Sequence, residues 1–212
     1  MDMDHSVAIL IDGGYFKKNF HLHHRKSPQP DDVIDHCDRL MKSKKLAKSE
    51  LFRIFYYDCL PYDGECRHPF TGVTVDYSKT EQYKNNMDFF DKLKVKENIA
   101  FRQGTLQLNG WKINEARLSR VLKEGYRITE ADIKEDFKQK TMDVKVGLDI
   151  AWLSSKHLVD EILLVTGDTD FVPAMKFARR EGVRVYLNIL SGDCSVLLKE
   201  HADLLVKLDP LV

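Results

Sequence analysis

The sequence predicts an α/β fold, a three-layer sandwich with a mostly parallel central sheet, and three observations carry that prediction. Short apolar runs of strand length alternate with amphipathic stretches of helical period, the signature of a parallel sheet covered on both faces. Two of the runs, residues 7–11 and 162–165, contain no charge. Each is followed almost at once by aspartate, where the C-terminal end of a strand in such a sheet meets a crevice.

Residues 7–11 form the first strand, and the Gly13-Gly14 turn leads into a short helix over about 15–21. A second helix covers about 31–46: Val33, Cys37, Leu40 and Met41 make an apolar stripe, and Asp31 and Asp32 lie in the first turn, where the helix dipole favours anions. Residues 51–57 are the next strand. The stretch 58–80 is rich in Pro, Gly and polar residues and too long for an ordinary βα connection, so it reads as an insertion near the site. A helix over about 81–96 follows, with the stripe Tyr83, Met87 and Phe90. Residues 99–108 and 111–113 suggest a strand running into a hairpin around Asn109-Gly110. The charged segment 114–139 shows no clear period, and residues 103–139 form a second insertion.

The C-terminal third is the most regular. A helix over about 143–156 is apolar around much of its circumference, through Val144, Val146, Leu148, Ile150, Ala151 and Leu153, and is expected to be largely buried. A strand at 161–166, a helix at 168–181 with Phe171, Ala174, Met175 and Ala178 facing inward, a strand at 183–189, a short helix at 193–201 and an apolar tail at 204–208 complete the chain. Residues 1–212 therefore read as a single domain with two insertions, without internal repeat or low-complexity linker.

Lys and Arg total 33 and Asp and Glu total 33, so no global positive field advertises nucleic acid and any such partner is met by local patches. The apolar runs are far too short to cross a bilayer, and residues 1–5 are acidic where a signal peptide is basic, so a soluble, cytoplasmic protein is expected. Cys37, Cys59, Cys66 and Cys194 are scattered without a C-x-x-C pair and read as reduced thiols. Cys59, Cys66 and His68 have poor spacing for zinc, and His21, His23 and His24 read as a polar surface turn where the first helix frays.

Chemistry is concentrated in the aspartates. Asp12 ends the first strand, Asp168 and Asp170 follow the strand at 162–165, and Asp143 opens a helix. If those strands are parallel neighbours, the acidic tips share one crevice. Converging carboxylates repel one another, a hard divalent cation relieves the repulsion, and Mg²⁺ or Mn²⁺ suits an all-oxygen, partly hydrated site. Each aspartate also has a structural role open to it: Asp143, Asp168 or Asp170 capping a helix, Asp12 bracing the glycine turn. Asp149 lies about 120° around the helix from Asp143 and has Lys145 as its i−4 neighbour, which predicts a surface ion pair as readily as metal ligation.

Three blocks resemble NYN domains, PIN-like proteins of the LabA/DUF88 type. They are Val7-Ala-Ile-Leu-Ile-Asp-Gly-Gly14, Lys140-Thr-Met-Asp-Val-Lys-Val-Gly-Leu-Asp149, and Leu164-Val-Thr-Gly-Asp-Thr-Asp-Phe-Val-Pro173 followed by Ala178-Arg-Arg-Glu-Gly182. The resemblance implies a Rossmann-like PIN-type fold, metal-dependent ribonuclease activity, and acidic ligands on Asp12, Asp143, Asp168 and Asp170. Where many such domains carry Asn three residues after the first Asp, this chain has Tyr15, whose ring either packs beneath the first strand or walls the crevice and stacks on a base.

The expected function is hydrolysis of RNA phosphodiester bonds by a metal-activated water, with no need of a His or Lys base. Lys140, Lys145, Lys17 and Lys18 chiefly, and Arg179 and Arg180 after them, are candidate backbone contacts, or else a solvated face. Tyr56, Tyr57, Tyr62 and Phe70 either stack on unpaired bases, favouring single-stranded RNA or structured loops, or pack. A non-catalytic RNA- or nucleotide-binding regulator and a DNA-directed nuclease are the alternatives, and both monomer and homodimer remain open.

Overall fold

The computed structural model describes residues 5–208; the acidic start at 1–4 lies outside the described residues, as does 209–212. In chain order the elements are β1 (His5–Asp12), α1 (Gly13–His24), α2 (Pro30–Met41), β2 (Ser49–Cys59), β3 (Glu65–Arg67), β4 (Thr74–Asp76), α3 (Glu81–Lys94), β5 (Ile99–Ile113), α4 (Leu118–Val121), β6 (Ile133–Lys140), α5 (Met142–Ser155), β7 (Glu161–Val165), α6 (Val172–Arg180), β8 (Arg184–Asn188), α7 (Val196–His201) and β9 (Leu204–Leu205). The chain divides into two compact units. One holds the chain up to Asp58, Phe89–Gln103 and everything from Thr141 on, and the other holds Cys59–Asp88 and Gly104–Lys140. No described helix is long and apolar enough to cross a membrane.

The first unit is built on a parallel sheet in the order β2-β1-β7-β8-β9, and the strand order continues beyond β2 to β5. The mostly parallel α/β architecture predicted from the sequence is therefore the one observed. In β1, Val7 to Ile11 are no more than 1% exposed, and Ile162 to Val165 of β7 are the same. Burial on both faces explains why these runs are continuously apolar rather than alternating. Register places Ile11 opposite Val165 and Asp12 opposite Tyr57, so β1, β2 and β7 release the chain at one common edge.

Helices cover the sheet through their apolar stripes. Phe16 and Phe20 of α1 stack at 6.0 Å, and Val33, Cys37 and Leu40 of α2 are fully buried. One polar pair enters this core: His36 of α2 bonds Asn188 of β8 at 3.0 Å, and burial pushes the imidazole down to about 4, which keeps it neutral.

The second unit has two antiparallel ladders. β3 pairs with β4, and β5 pairs with β6 from Thr105 opposite Lys140 to Ile113 opposite Ile133. Aromatic rings supply much of its packing: Tyr77 meets Phe137 edge-on at 5.6 Å, and His68 meets Trp111 at 4.5 Å. The Asp132 carboxylate accepts from the Thr129 hydroxyl, the Tyr126 hydroxyl and the Thr129 amide at 2.7, 2.7 and 2.9 Å, bonds that hold its carboxyl down to about 2.

Several sequence expectations need correction. Asn109-Gly110 does not turn a hairpin: β5 runs through it, the register against β6 shifts between Leu108 and Trp111, and Gly110 takes φ +95°. That is a bulge, in which the same positive-φ residue that suits a two-residue turn absorbs an extra residue instead. The histidines at 21, 23 and 24 are helical rather than frayed: they form the last turn of α1, closed by Arg25 in the left-handed conformation. His21 and His23 are exposed, as expected of a polar surface turn, while the His24 ring lies 4.2 Å from Phe20. Helix α5 is not largely buried either: Val146, Ile150 and Leu153 face inward, while Val144, Leu148 and Trp152 are 63%, 64% and 49% exposed. Its apolar residues occupy two opposed stripes, and only one finds a partner in the described fold.

Two glycines should respond in opposite directions. A Cβ on Gly13 would stand 2.7 Å from the Tyr57 carbonyl, the Asp58 carboxylate and the Tyr56 ring, so Gly13→Ala should destabilise by about 1–3 kcal/mol. Gly147, inside α5, has nothing within 4 Å of its would-be Cβ, so Gly147→Ala should add up to about 1 kcal/mol of stability. Urea unfolding of both variants checks this pair of signs.

Candidate active site

The aspartates are placed by local hydrogen bonding at the strand ends. Asp12 caps α1: its Oδ1 accepts the Tyr15 amide at 3.0 Å. Its Oδ2 accepts the Thr166 hydroxyl at 3.4 Å. Asp168 caps the 3-10 turn Thr169–Phe171, with Oδ1 accepting the Asp170 amide at 2.9 Å, and its own amide donates to Thr166 Oγ1 at 3.1 Å. Thr166, 1% exposed and first after β7, thus holds both acids through one hydroxyl. The structural role is realised for Asp12 and Asp168, and it aims them rather than using them up, because each cap takes only one carboxylate oxygen.

Asp143 lies in the first turn of α5 and Asp170 inside the 3-10 turn; both are exposed. The charges sense one another along this edge. Burial raises the Asp12 carboxyl above its usual range, and the charges of Asp58 and Asp168 push it further. Asp143 is raised by desolvation and then by Asp168 and Asp170. Among the described residues no group of three or more His, Cys, Asp or Glu is closed to metal-ligating geometry. Asp168 thus lies within electrostatic reach of Asp12 and of Asp143, and Asp170 within reach of Asp143, but the acids do not form a cage. Hard oxygen donors under mutual repulsion fit a hydrated divalent cation, since Mg²⁺ keeps several waters and asks for only one or two protein carboxylates.

The sequence reading missed Asp58. It lies in β2 directly after Tyr57, the partner of Asp12, is 3% exposed, and receives the Lys17 ammonium at 2.7 Å. It is the second-last residue of β2, as Asp12 is the last of β1, a signal obscured because the stretch read as an insertion begins at 58. Lys17 is consequently engaged inside the protein, with its charge also over the Phe90 ring at 5.1 Å.

Asp149 is paired, but not with Lys145. Its carboxylate takes Arg102 Nε at 2.7 Å and the Tyr57 hydroxyl at 2.9 Å. Lys145 makes no ion pair among the described residues. The missing signal was tertiary: Arg102 lies on β5, remote in sequence. Tyr57 and Tyr56 are buried core residues rather than base-stacking platforms. In the second unit Tyr62 packs against Tyr77 at 5.5 Å, Phe70 is 50% exposed, and Lys140 ends β6. Lys18 is exposed on α1; Arg179 pairs with Asp203 at 3.0 Å, and Arg180 is exposed at the end of α6.

Tyr15 is half-buried. Its hydroxyl accepts the Leu190 amide at 3.1 Å, and its ring lies 2.8 Å from where a Cβ on Gly167 would stand. Packing is what it does here: it fastens the start of α1 to the loops after β7 and β8, and it explains the glycine before Asp168.

The raised acids have a stability consequence. A carboxyl whose folded pKa exceeds 3.8 favours folding when protonated, and that contribution is lost as pH rises through the folded value. Asp12→Asn and Asp143→Asn, measured without metal, should therefore melt higher than wild type at pH 7, with the gain shrinking as pH falls toward 3.8. Asp149→Asn should melt lower, by about 1–3 kcal/mol of lost charge-assisted bonding. Thermal melts across pH in EDTA test both signs.

The model of one protein family matches residues 6–209: the NYN domain. No curated protein sequence matches the chain. Among solved structures, a protein of unknown function from Vibrio parahaemolyticus is similar over 99% of this chain and 96% of its own, at 15% identity and a TM-score of 0.53, a likeness of fold alone. MurG from Acinetobacter baumannii is looser, at 10% identity and a TM-score of 0.39 over 97% of this chain and 42% of its own. With a parallel sheet, acids at the ends of β1 and β7, and a family match from the first strand to the last, the chain belongs to the NYN domain family, within the PIN-like superfamily, whose members are generally nucleases.

Proposed function

We propose that the protein is a Mg²⁺- or Mn²⁺-dependent endoribonuclease that hydrolyses RNA phosphodiester bonds, with Asp12, Asp143, Asp168 and Asp170 as its acidic set. The observation that carries this reading is geometric: β1 and β7 end side by side, and the Thr166 hydroxyl bonds both Asp12 and the Asp168 amide, so that burial first and the neighbouring carboxylates second raise Asp12 and Asp143. Such strain costs stability and is retained where a cation and a phosphate give it a use.

A bound divalent ion would supply Lewis-acid stabilisation of the phosphoryl oxygens and an activated water. The chain's own residues orient the reaction. Thr166, the Tyr15 amide and the Asp170 amide hold Asp12 and Asp168 in fixed rotamers, so little reorganisation accompanies binding. Asp143 and Asp170 project from exposed positions beside them. Lys145 and Lys18 offer ammonium groups to the RNA backbone, whereas Lys17 serves to hold Asp58.

The test uses labelled single-stranded and duplex RNA and DNA with Mg²⁺, Mn²⁺ or EDTA. RNA cleavage that requires either ion is expected, and Asp168→Asn should lower the rate by about 10²–10³-fold or more while leaving the unfolding profile cooperative. Cleavage that survives EDTA, or a folded Asp168→Asn protein that cuts at the wild-type rate, sinks the proposal. RNA bound but never cut would instead favour a non-catalytic binding protein.

A further inference from the structure

We propose that a pocket of about 210 Å³ between the β8 exit loop and the C-terminal tail binds one nucleotide of the substrate, its base on the apolar floor and its phosphate at Lys199 and Lys207. This inference rests on the ribonuclease reading above.

Topology puts the pocket on the working edge of the sheet. β9 runs parallel to β8, with Tyr186 opposite Leu204 and Leu187 opposite Leu205. The tail after Leu205 and the loop after Asn188 therefore leave at the same edge as Asp12 and Asp168. Tyr15 connects the two places: its ring packs on Gly167, next to Asp168, while its hydroxyl takes the amide of Leu190, a pocket residue. Tyr15 thus touches both the segment that carries Asp168 and the pocket wall, so a strand lying across the aspartates can place a neighbouring nucleotide there.

The lining fits that ligand. Ile189, Leu190, Leu205 and Leu208, all partly exposed, give an apolar surface for a planar ring, and Lys199 and Lys207 are exposed ammonium groups suited to a phosphate. Both act on the thiol of Cys194, on the pocket wall, in the direction that opposes the upward push of its burial, which places both charges near the same wall. One carboxylate, Asp193, also lines the pocket, and against two lysines the balance remains positive. At about 210 Å³ the pocket holds a base, with the ribose and phosphate at its mouth beside the two lysines.

Cys194 reports occupancy. The full-length protein is titrated with AMP and UMP in EDTA, binding is followed by calorimetry, and alkylation of each cysteine is followed by mass spectrometry. Cys37 and Cys59 are buried, so they should react slowly whether or not nucleotide is present. The expected result is saturable binding that slows Cys194 alkylation severalfold, with affinity reduced at least tenfold in the Lys199→Gln/Lys207→Gln protein and weakened for adenosine, which lacks the phosphate. Both lysines are exposed, so the double variant should fold, which circular dichroism verifies. Absence of mononucleotide binding, or equal binding by the double variant, overturns the pocket assignment even if wild type cuts RNA. Binding with Cys194 protection in a protein that cuts no RNA upholds the pocket and refutes the nuclease reading instead.

Discussion

Parallel pairing of β1 with β7, each buried on both faces, is the constraint from which the rest of the first unit follows. A polar side chain in the buried length needs partners, and the two runs 7–11 and 162–165 carry none; the buried Glu161, at the start of β7, takes the Ser49 and Tyr186 hydroxyls, so polarity is confined to the ends. Register then brings those ends together: Ile11 lies opposite Val165, and the next residues outward are Asp12 and Thr166. The contact between the Thr166 hydroxyl and Asp12 is the first interaction beyond the last apolar pair. Through its bond to the Asp168 amide, the same threonine passes that registration to the following loop.

Capping and site formation are usually weighed as rival explanations for an aspartate, and here they cooperate. A carboxylate has two oxygens, and a cap uses one. The Tyr15 amide on Asp12 and the Asp170 amide on Asp168 pin each group without exhausting it. Pinning also keeps charges near one another that would otherwise rotate apart, so the burial and repulsion that raise Asp12 follow from the geometry that makes it useful. Asp58 extends the same edge and is managed differently, by a short ion pair to Lys17. Of the two neighbouring acids, the buried one with a lysine partner is neutralised internally, and Asp12 retains its strain.

Tyr15 shows how an aromatic ring at the mouth of the crevice is accommodated, with a glycine beneath the ring and a backbone amide at its hydroxyl. The ring couples three loops, after β1, β7 and β8, into one support. Helix α5 presents the converse case: its exposed stripe of Val144, Leu148 and Trp152 has no intramolecular counterpart among the described residues.

The parallel α/β class, the buried runs of β1 and β7 and the placement of Asp12, Asp168 and Asp170 after strands were legible in the chain, because each depends on periodicity and on where apolar runs stop. Pairings between distant segments were not. Asp149 has Lys145 one helical turn away, yet it is held by Arg102 and Tyr57, which only the folded sheet brings to it. Asp58 looked like the start of a loop because where a strand ends is set by its neighbours rather than by residue type, and β2 runs on to Cys59. Asn109-Gly110 has the composition of a turn, and β6 alongside made it a bulge. Local sequence sets conformational preference and burial demand, which are properties of a few residues at a time; the choice of partner for each charge, and which face of an apolar helix is covered, belongs to long-range packing and is decided only when the strands register.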